Sequence, residues 1–165
     1  DPFGCGIGGF KFMEFDAQNN FQVTFLPTDI FDNFDFYLVY TNLKRESTDI
    51  LKSLNLDAAY PLLDQVDDMK SALISKDYER VFRVLNKSWD IKKTSSSQIL
   101  QSTSLLEMDR FLAKNVNIKA HKLCGAGGGG YFLVVADKNT QIKLDKSYPY
   151  IRIKIDNTGL SSISL

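Results

Sequence analysis

The chain has 165 residues, the size of one ordinary domain, and its 20 basic residues balance its 20 acidic ones. This length and a hydrophobic fraction of 44% are typical of a globular domain, and they argue against disorder, a coiled coil or a nucleic-acid surface. Two distant cysteines argue against a secreted disulfide scaffold and favour the cytoplasm, and no apolar run reaches the roughly 20 residues that cross a bilayer.

The first quarter of the chain is predicted to be β-structure. Apolar and polar residues alternate over Phe10 to Phe15 and over Phe21 to Leu26, and the two runs are separated by Asn19-Asn20. This arrangement predicts a β-hairpin. A third run, Phe36 to Thr41, is almost continuously apolar, which is typical of a buried central strand.

The middle of the chain is predicted to be helical. Apolar residues recur at helical spacing after Ser47, which can cap a helix, and again over Tyr60 to Ile74. Two further helices are predicted over Tyr78 to Trp89 and Leu105 to Asn115.

The last part of the chain mixes element types. Tyr131 to Val135 predicts a buried strand, Asp137 to Leu144 a short helix, Tyr150 to Ile155 a closing strand, and Ser161 to Leu165 an added strand. Strands, then a helical block, then mixed elements predict an α+β fold in which an antiparallel sheet carries helices on one face.

The densest glycine run lies in KLCGAGGGGYFLVV, which spans Lys122 to Val135. The residues alone leave two interpretations open: a loop whose N–H groups face phosphate, or a tight turn between two strands that binds no ligand. The run is not a P-loop, because the lysine precedes the glycines and no Gly-Lys-Ser or Gly-Lys-Thr ends them. It is not a dinucleotide fingerprint either, since a strand rather than a helix follows it.

Four segments resemble, in order, those of the GHMP kinases, the superfamily of galactokinase, homoserine kinase, mevalonate kinase and phosphomevalonate kinase. They are DPFGCGIGGFKFMEF, LVYTNLKRESTDIL, LNKSWDIKKTSSSQI and the glycine run. The resemblance covers essentially the whole chain, and it points to the branch of D-glycero-D-manno-heptose 7-phosphate kinase-like sugar kinases. It implies a ferredoxin-like carboxy-terminal kinase domain over residues 44–165, preceded by a β segment over residues 1–43 that continues the amino-terminal domain.

The resemblance also implies a role for the glycine turn. In the family this turn lies beside the nucleotide phosphate loop and shapes the phosphoryl-transfer site. The positions that correspond here are Gly125, Ala126, Gly127, Gly128 and Gly129. Backbone amides suit this role because phosphoryl transfer depends mostly on positioning and on donors for charged oxygens. The family usually has a small residue just before the motif lysine, whereas this chain has His121.

Asp1 corresponds by the same resemblance to the aspartate that accepts the proton of the attacking hydroxyl. Pro2 stands here where the family usually has Gln. The residues alone favour the alternative of a frayed terminal acid. Because the chain begins at Asp1 without Met, we interpret it as a fragment.

Four more side chains have both a functional and an ordinary interpretation. Arg45 and Lys122 could contact a substrate or nucleotide phosphate, but a surface ion pair is the commoner fate of such residues. His121 as a general base and Cys124 as a nucleophile are disfavoured, because the sequence shows neither a carboxylate partner nor a catalytic motif around them. His121 is predicted to be a surface or a packed histidine, and Cys124 a small packed hydrophobe.

The resemblance implies an ATP-dependent sugar or sugar-phosphate kinase, with a heptose-phosphate-like substrate and Mg²⁺ bridging the nucleotide phosphates; no metal ligand is assigned to this chain. The family's serine-rich phosphate loop, Pro-x-x-x-Gly-Leu-Ser-Ser-Ser, does not occur in this sequence. We therefore expect the chain alone to be inactive and to need a missing amino-terminal half. Apolar strand surface exposed by truncation predicts a homodimer or aggregation. The alternative is a non-catalytic ligand-binding or regulatory module that keeps the kinase fold.

Overall fold

The computed structural model describes residues 4, 6–44, 47–140, 142 and 148–160, without the side chains of residues 47–49. Its strands are β1 (Lys11–Phe15), β2 (Phe21–Phe25), β3 (Phe34–Tyr40), β4 (Ile118–Leu123), β5 (Tyr131–Asp137) and β6 (Tyr150–Arg152). Its helices are α1 (Ile30–Asn33), α2 (Ser47–Lys52), α3 (Leu56–Ala59), α4 (Leu62–Ile74), α5 (Tyr78–Thr94) and α6 (Thr103–Lys114). None of the helices described is long and apolar enough to span a bilayer. The predicted α+β class is confirmed.

A four-stranded antiparallel sheet with the order β4-β5-β3-β6 forms the centre of the molecule. β3 lies inside this sheet and pairs with β5 along its whole length, which confirms the prediction of a buried central strand. The predicted hairpin is also confirmed, since β1 and β2 pair with each other in a separate two-stranded sheet. The domain boundary between residues 43 and 44 stays a prediction. Strand β3, from the first predicted segment, is hydrogen-bonded to β5 and β6 of the second.

Two apolar cores cover the two faces of the central sheet, because successive side chains of a strand point to opposite faces. On β3, Tyr37 and Val39 belong to the first core, whereas Phe34 and Phe36 pack against the second. The first core consists of Tyr37, Val39, Ile50, Trp89, Ile99, Leu105, Met108, Leu112, Leu123, Phe132, Val134, Ala136 and Ile142. The second consists of Leu26, Ile30, Ala72, Leu73, Val81, Phe82, Ala120 and Val135. Helix α6 thus contributes to the first core and α4 to the second.

Helix α5 runs beside β4, the strand at one edge of the sheet, and takes part in both cores. Val81 and Phe82 reach the second core, and Trp89 reaches the first. Between them, the Asn86 side chain donates to the Lys119 carbonyl at 2.9 Å and accepts from the His121 N–H at 3.2 Å. One amide side chain therefore satisfies a donor and an acceptor that an edge strand would otherwise leave unpaired.

We expect Asn86→Ala to lower the free energy of unfolding by about 1–2 kcal/mol, because two partly buried backbone groups lose their partners. Urea unfolding followed by circular dichroism measures this. Lys87→Ala, at the next and exposed position of the helix, is the matched control and should stay within about 0.5 kcal/mol of the unmodified chain. Equal stability of the two variants would contradict a role for Asn86 in holding the edge strand β4.

The end of β5 differs from the sequence prediction. Within the described residues, the predicted helix over Asp137 to Leu144 is wrong: Asp137 ends β5 and a turn follows. Asn139 has φ 59°, which Asn tolerates better than most residues, and its N–H donates to buried Asp35 at 3.0 Å. The closing strand is shorter than predicted and ends at Arg152. The strand predicted over residues 161–165 lies outside the described residues.

Candidate functional site

The glycine turn, defined here as residues 124–130, connects β4 to β5. The Cys124 N–H donates to the Tyr131 carbonyl at 2.9 Å and thereby continues the hairpin pairing into the turn. Gly127 and Gly128 then have φ of 127° and 74°, values that L side chains rarely adopt. The backbone conformation of the turn therefore requires glycine whether or not the turn binds a ligand.

The glycines of the turn also permit close packing against two other segments. A Cβ on Gly127 would lie 3.0 Å from Ile99 Cα, and a Cβ on Gly129 would lie 2.8 Å from the Leu43 carbonyl oxygen. Two N–H groups fix the turn to the same segments: Gly128 donates to the Ile99 carbonyl and Gly130 donates to the Leu43 carbonyl, both at 3.0 Å. The turn is thus joined to the loop before α6 and to the connection between β3 and α2.

Other donors of the turn have no partner in the part of the chain that the structure describes. The N–H groups of Gly125, Ala126, Gly127 and Gly129 donate to none of the residues that the structure describes. Gly125 is exposed, whereas Gly127 and Gly129 are buried. Unpartnered amide donors in a glycine-rich turn are the groups with which backbone binds an anion. The turn therefore keeps donors for a negatively charged ligand while its other amides hold it in place.

Two lysines lie close to this turn. The Lys92 ammonium, from α5, donates to the Gly125 carbonyl. Lys92 and Lys122, on β4, both act electrostatically on the Cys124 thiol, yet burial outweighs them and raises the pKa of Cys124. A thiol that stays protonated is a poor nucleophile, which agrees with the prediction that Cys124 packs. Lys92 thus places a positive charge at the turn.

His121 is buried, and it has the carboxylate partner that the sequence did not show. Its Nε2 lies 2.9 Å from Oδ1 of Asp109, on α6, and the same oxygen accepts from Trp89 Nε1 at 2.6 Å. Lys93 Nζ lies 3.5 Å from the other oxygen. Burial alone would raise the pKa of Asp109, but the hydrogen bonds from His121 and Trp89 outweigh it and lower that pKa. This buried cluster supports the first core and occupies the Nε2 edge of the imidazole.

A signal for Asp109 was present in the sequence. Leu105, Met108 and Leu112 form the apolar stripe of α6, and Asp109 occupies the same stripe. A carboxylate on the buried face of an amphipathic helix requires hydrogen-bond donors, because an unpaired buried charge is costly. The position of Asp109 therefore predicts a partner without identifying His121 or Trp89.

Two predicted site residues, Asp1 and Arg45, lie outside the described residues, so their roles stay predictions. Lys122 is half-buried on β4 at the beginning of the turn, and its contact with phosphate also stays a prediction. Among residues 4, 6–44, 47–140, 142 and 148–160, no three His, Cys, Asp or Glu side chains form a group that could hold a metal ion. The described site thus comprises the glycine turn with Lys92 and Lys122.

Comparisons with known proteins show which proteins this chain resembles. No family model matches the chain. The chain is 30% identical over 161 residues to D-glycero-alpha-D-manno-heptose 7-phosphate kinase of Campylobacter jejuni, a match that spans 89% of this chain. This chain resembles the carboxy-terminal portion of the GHMP kinases. It covers only 46% of that kinase, so it spans less than half the length of the relative it matches.

Solved structures show that the fold is shared among GHMP proteins. Mevalonate diphosphate decarboxylase of Staphylococcus aureus superposes with a TM-score of 0.61 at 14% identity, over 96% of this chain and 55% of that one. Phosphomevalonate kinase of Streptococcus pneumoniae, in complex with phosphomevalonate and AMPPNP, superposes with a TM-score of 0.57 at 18% identity, over 73% of this chain and 36% of that one. At these identities the likeness concerns the fold alone.

Proposed function

We propose that this chain is the carboxy-terminal part of an ATP-dependent sugar or sugar-phosphate kinase, in which the glycine turn forms one wall of the phosphoryl-transfer site. The observation that carries the proposal is the set of four amides at Gly125, Ala126, Gly127 and Gly129, which have no partner among the described residues, with the Lys92 ammonium at the Gly125 carbonyl. Amides held rigidly by the packing of the same turn stabilise phosphate charge without reorganising during the reaction.

The chemistry would divide between this chain and its upstream part. Bound Mg²⁺ would supply neutralisation of the charge on the nucleotide phosphates. The turn and Lys122 would orient the transferred phosphoryl group. Asp1, by its resemblance to the family's aspartate, would accept the proton of the attacking sugar hydroxyl.

The proposed acceptor is a sugar or sugar phosphate of the heptose-phosphate kind. The support is the 30% identity to a heptose 7-phosphate kinase over most of this chain. In that case Arg45 would contact the substrate phosphate, because a guanidinium matches phosphate oxygens bidentately. A panel of aldoses and their phosphates, assayed with ATP on the polypeptide that supplies both walls of the site, tests the substrate class. Preference for mevalonate, or for any acceptor that is neither a sugar nor a sugar phosphate, would contradict it.

A second candidate is a non-catalytic module that keeps the fold without phosphotransfer. The observation in its favour is structural: every glycine from 127 to 129 is explained by packing against Ile99, Ile50 or Leu43, with no ligand required. Under this alternative the free amides of the turn would bind only water. The two candidates therefore differ in what the turn does when nucleotide is added.

Titration of the ¹⁵N-labelled chain with MgATP distinguishes them. We expect the amide resonances of Gly125, Gly127 and Gly129 to shift with a Kd on the order of millimolar, because one wall of a two-walled site binds weakly. Lys122→Met should weaken this binding about two- to fivefold, the effect of removing one partly exposed cation. Lys119→Met is the matched control: Lys119 lies on the same strand but pairs with Asp137 at 3.2 Å.

If the amide resonances of the turn do not shift at 10 mM nucleotide, the non-catalytic module would be favoured. Equal weakening by Lys119→Met would show a general charge effect rather than a contact from Lys122. Micromolar affinity, or ADP formation by the chain alone, would contradict the proposal that a second wall is required.

A further inference from the structure

The peptide units 125–126, 127–128 and 129–130 of the glycine turn are each held by a contact with another part of the chain. The units 127–128 and 129–130 are held through their N–H groups, which donate to the carbonyls of Ile99 and Leu43 at 3.0 Å. The unit 125–126 is held through its carbonyl instead, which accepts from the Lys92 ammonium. Of these three contacts, the one at 125–126 comes from a side chain, so it can be removed without altering the backbone.

The peptide unit between Gly125 and Ala126 has an acceptor on one edge and a donor on the other. No peptide bond among the described residues is cis, and the C=O and N–H bonds of a trans peptide point in opposite directions. Because the Gly125 carbonyl points to Lys92, the Ala126 N–H points away from it. Rotation of the unit by half a turn would place the carbonyl oxygen where the N–H now lies. The orientation of this unit therefore decides whether that side of the turn attracts or repels an anion.

The residues on either side of this peptide permit such a rotation. Gly125 is exposed and has φ 72°, and glycine adopts positive and negative φ with similar ease. Ala126 is partly buried and packs against the first core, which fixes the position of its Cα while the peptide plane turns. The contact from Lys92 is thus the described interaction that favours the orientation in which the Ala126 N–H points away from α5.

Lys92 lies in the last turn of α5, which the first core holds in place. Trp89, three residues earlier, is buried in that core, and its Nε1 donates to Asp109 at 2.6 Å. The Lys92 ammonium lies 6.0 Å from the centre of the Trp89 ring. Lys92 therefore reaches the turn from a fixed part of the helix, and its charge-assisted hydrogen bond is stronger than one between neutral groups.

We propose that Lys92 is a positioning residue of the glycine turn: it holds the Gly125 carbonyl so that the Ala126 N–H faces the bound phosphate. This inference rests on the proposed function, because it assigns the Ala126 N–H to a nucleotide phosphate. Lys92 acts through the peptide unit and not through a phosphate contact of its own. Without Lys92 the unit populates both orientations, and phosphate binds the fraction of molecules that present the N–H.

The first measurement needs no nucleotide. In the ¹⁵N-labelled whole chain, weakly aligned, the residual dipolar coupling of the Ala126 N–H reports the direction of that bond. We expect Lys92→Met to move this coupling towards the average of two orientations, and Lys92→Arg, which also donates N–H groups, to preserve it. Lys87→Met removes an exposed lysine from the same helix and is the matched control. The Gly128 N–H, which is bonded to Ile99, should keep its coupling in every variant and shows that the turn is folded.

The second measurement is the MgATP titration of the same variants. We expect Lys92→Met to raise the Kd about three- to tenfold, which corresponds to an N–H presented in about a third to a tenth of the molecules. Lys92→Arg and Lys87→Met should each change the Kd less than about twofold.

An unchanged Ala126 coupling in Lys92→Met would overturn the proposal, and weaker MgATP binding in that case would indicate a direct contact between Lys92 and phosphate. Equal weakening by Lys92→Met and Lys87→Met would overturn it as well, because it would show a general charge effect. The proposed function fails separately: there the turn amides of the unmodified chain do not shift with MgATP, and the assignment of Ala126 to a phosphate is overturned too. If they shift with the same Kd in Lys92→Met, this inference alone is wrong.

Discussion

Gly129→Ala is expected to lower the free energy of unfolding by about 3 kcal/mol, which corresponds to a fall in Tm of about 6–12 °C. An added Cβ would lie 2.8 Å from the Leu43 carbonyl oxygen and 3.1 Å from the Lys44 carbonyl oxygen. Both neighbours are backbone atoms of the connection between β3 and α2, so neither can move aside as a side chain would. Differential scanning calorimetry of the chain without ligand measures the effect.

Two other substitutions in the same turn are the controls. Gly130→Ala also has a positive φ, 91°, but its Cβ would meet nothing within 4 Å, so we expect only the conformational cost of about 1–2 kcal/mol. Gly128→Ala would meet Ile50 Cδ1 at 2.7 Å, the flexible end of a side chain, and should fall between the two. If Gly129→Ala were no worse than Gly130→Ala, close packing would not be the reason for glycine at position 129.

The ranking of these three substitutions by loss of stability bears on the function of the turn. A purely phosphate-binding loop would lose ligand affinity on substitution and keep its stability, whereas a purely structural turn would lose stability alone. In this structure the amides of Gly128 and Gly130 hold the turn, whereas those of Gly125 and Gly127 have no partner within the described part of the chain. The packing that makes position 129 intolerant of a methyl group is also what holds the free donors in fixed directions. Rigidity of the turn is thus a condition of the proposed phosphate binding.

The parts of the fold that depend on local pattern could be predicted from the sequence. Alternation predicted the β1–β2 hairpin, a continuous apolar run predicted β3, and helical spacing predicted α4, α5 and α6 to within a few residues. The end of β5 was mispredicted because its conformation depends on a distant residue. The chain forms a turn at Asn139 instead of a helix, because Asp35, about a hundred positions earlier, accepts a hydrogen bond from the Asn139 N–H.

The candidate site could be predicted less completely. The glycine turn was identified, since its residue type is itself the signal, but the sequence could not show which amides are used internally. That division depends on Ile99 and Leu43, which come from separate parts of the chain. The pairing of His121 with Asp109 was missed for the same reason, because a strand and a helix meet there only in the folded chain.

Asp109→Ala is expected to lower the free energy of unfolding by about 3–5 kcal/mol, because it removes a buried carboxylate and leaves two donors unpaired. Trp89 Nε1 and His121 Nε2 both lose their partner, and Lys93 loses one of its two carboxylates. Urea unfolding followed by the fluorescence of Trp89, the single tryptophan of the chain, measures the loss. Asp90→Ala is the matched control: Asp90 also pairs with Lys93, but its side chain is 70% exposed, so we expect less than about 1 kcal/mol.

The pH dependence of the same carboxylate provides an independent check. Its pKa in the folded chain is lower than the ordinary value of 3.8, so the folded state holds the proton less tightly than the unfolded state does. The contribution of Asp109 to stability is therefore complete above about pH 5 and is lost as the pH falls through 3.8 towards the lower folded value. Asp109→Asn, which cannot titrate, should have a flatter stability profile than the unmodified chain between about pH 5 and pH 3. Parallel profiles would mean that the acid sensitivity of the chain arises at other carboxylates, and Asp109 would then hold the core through its size rather than its charge.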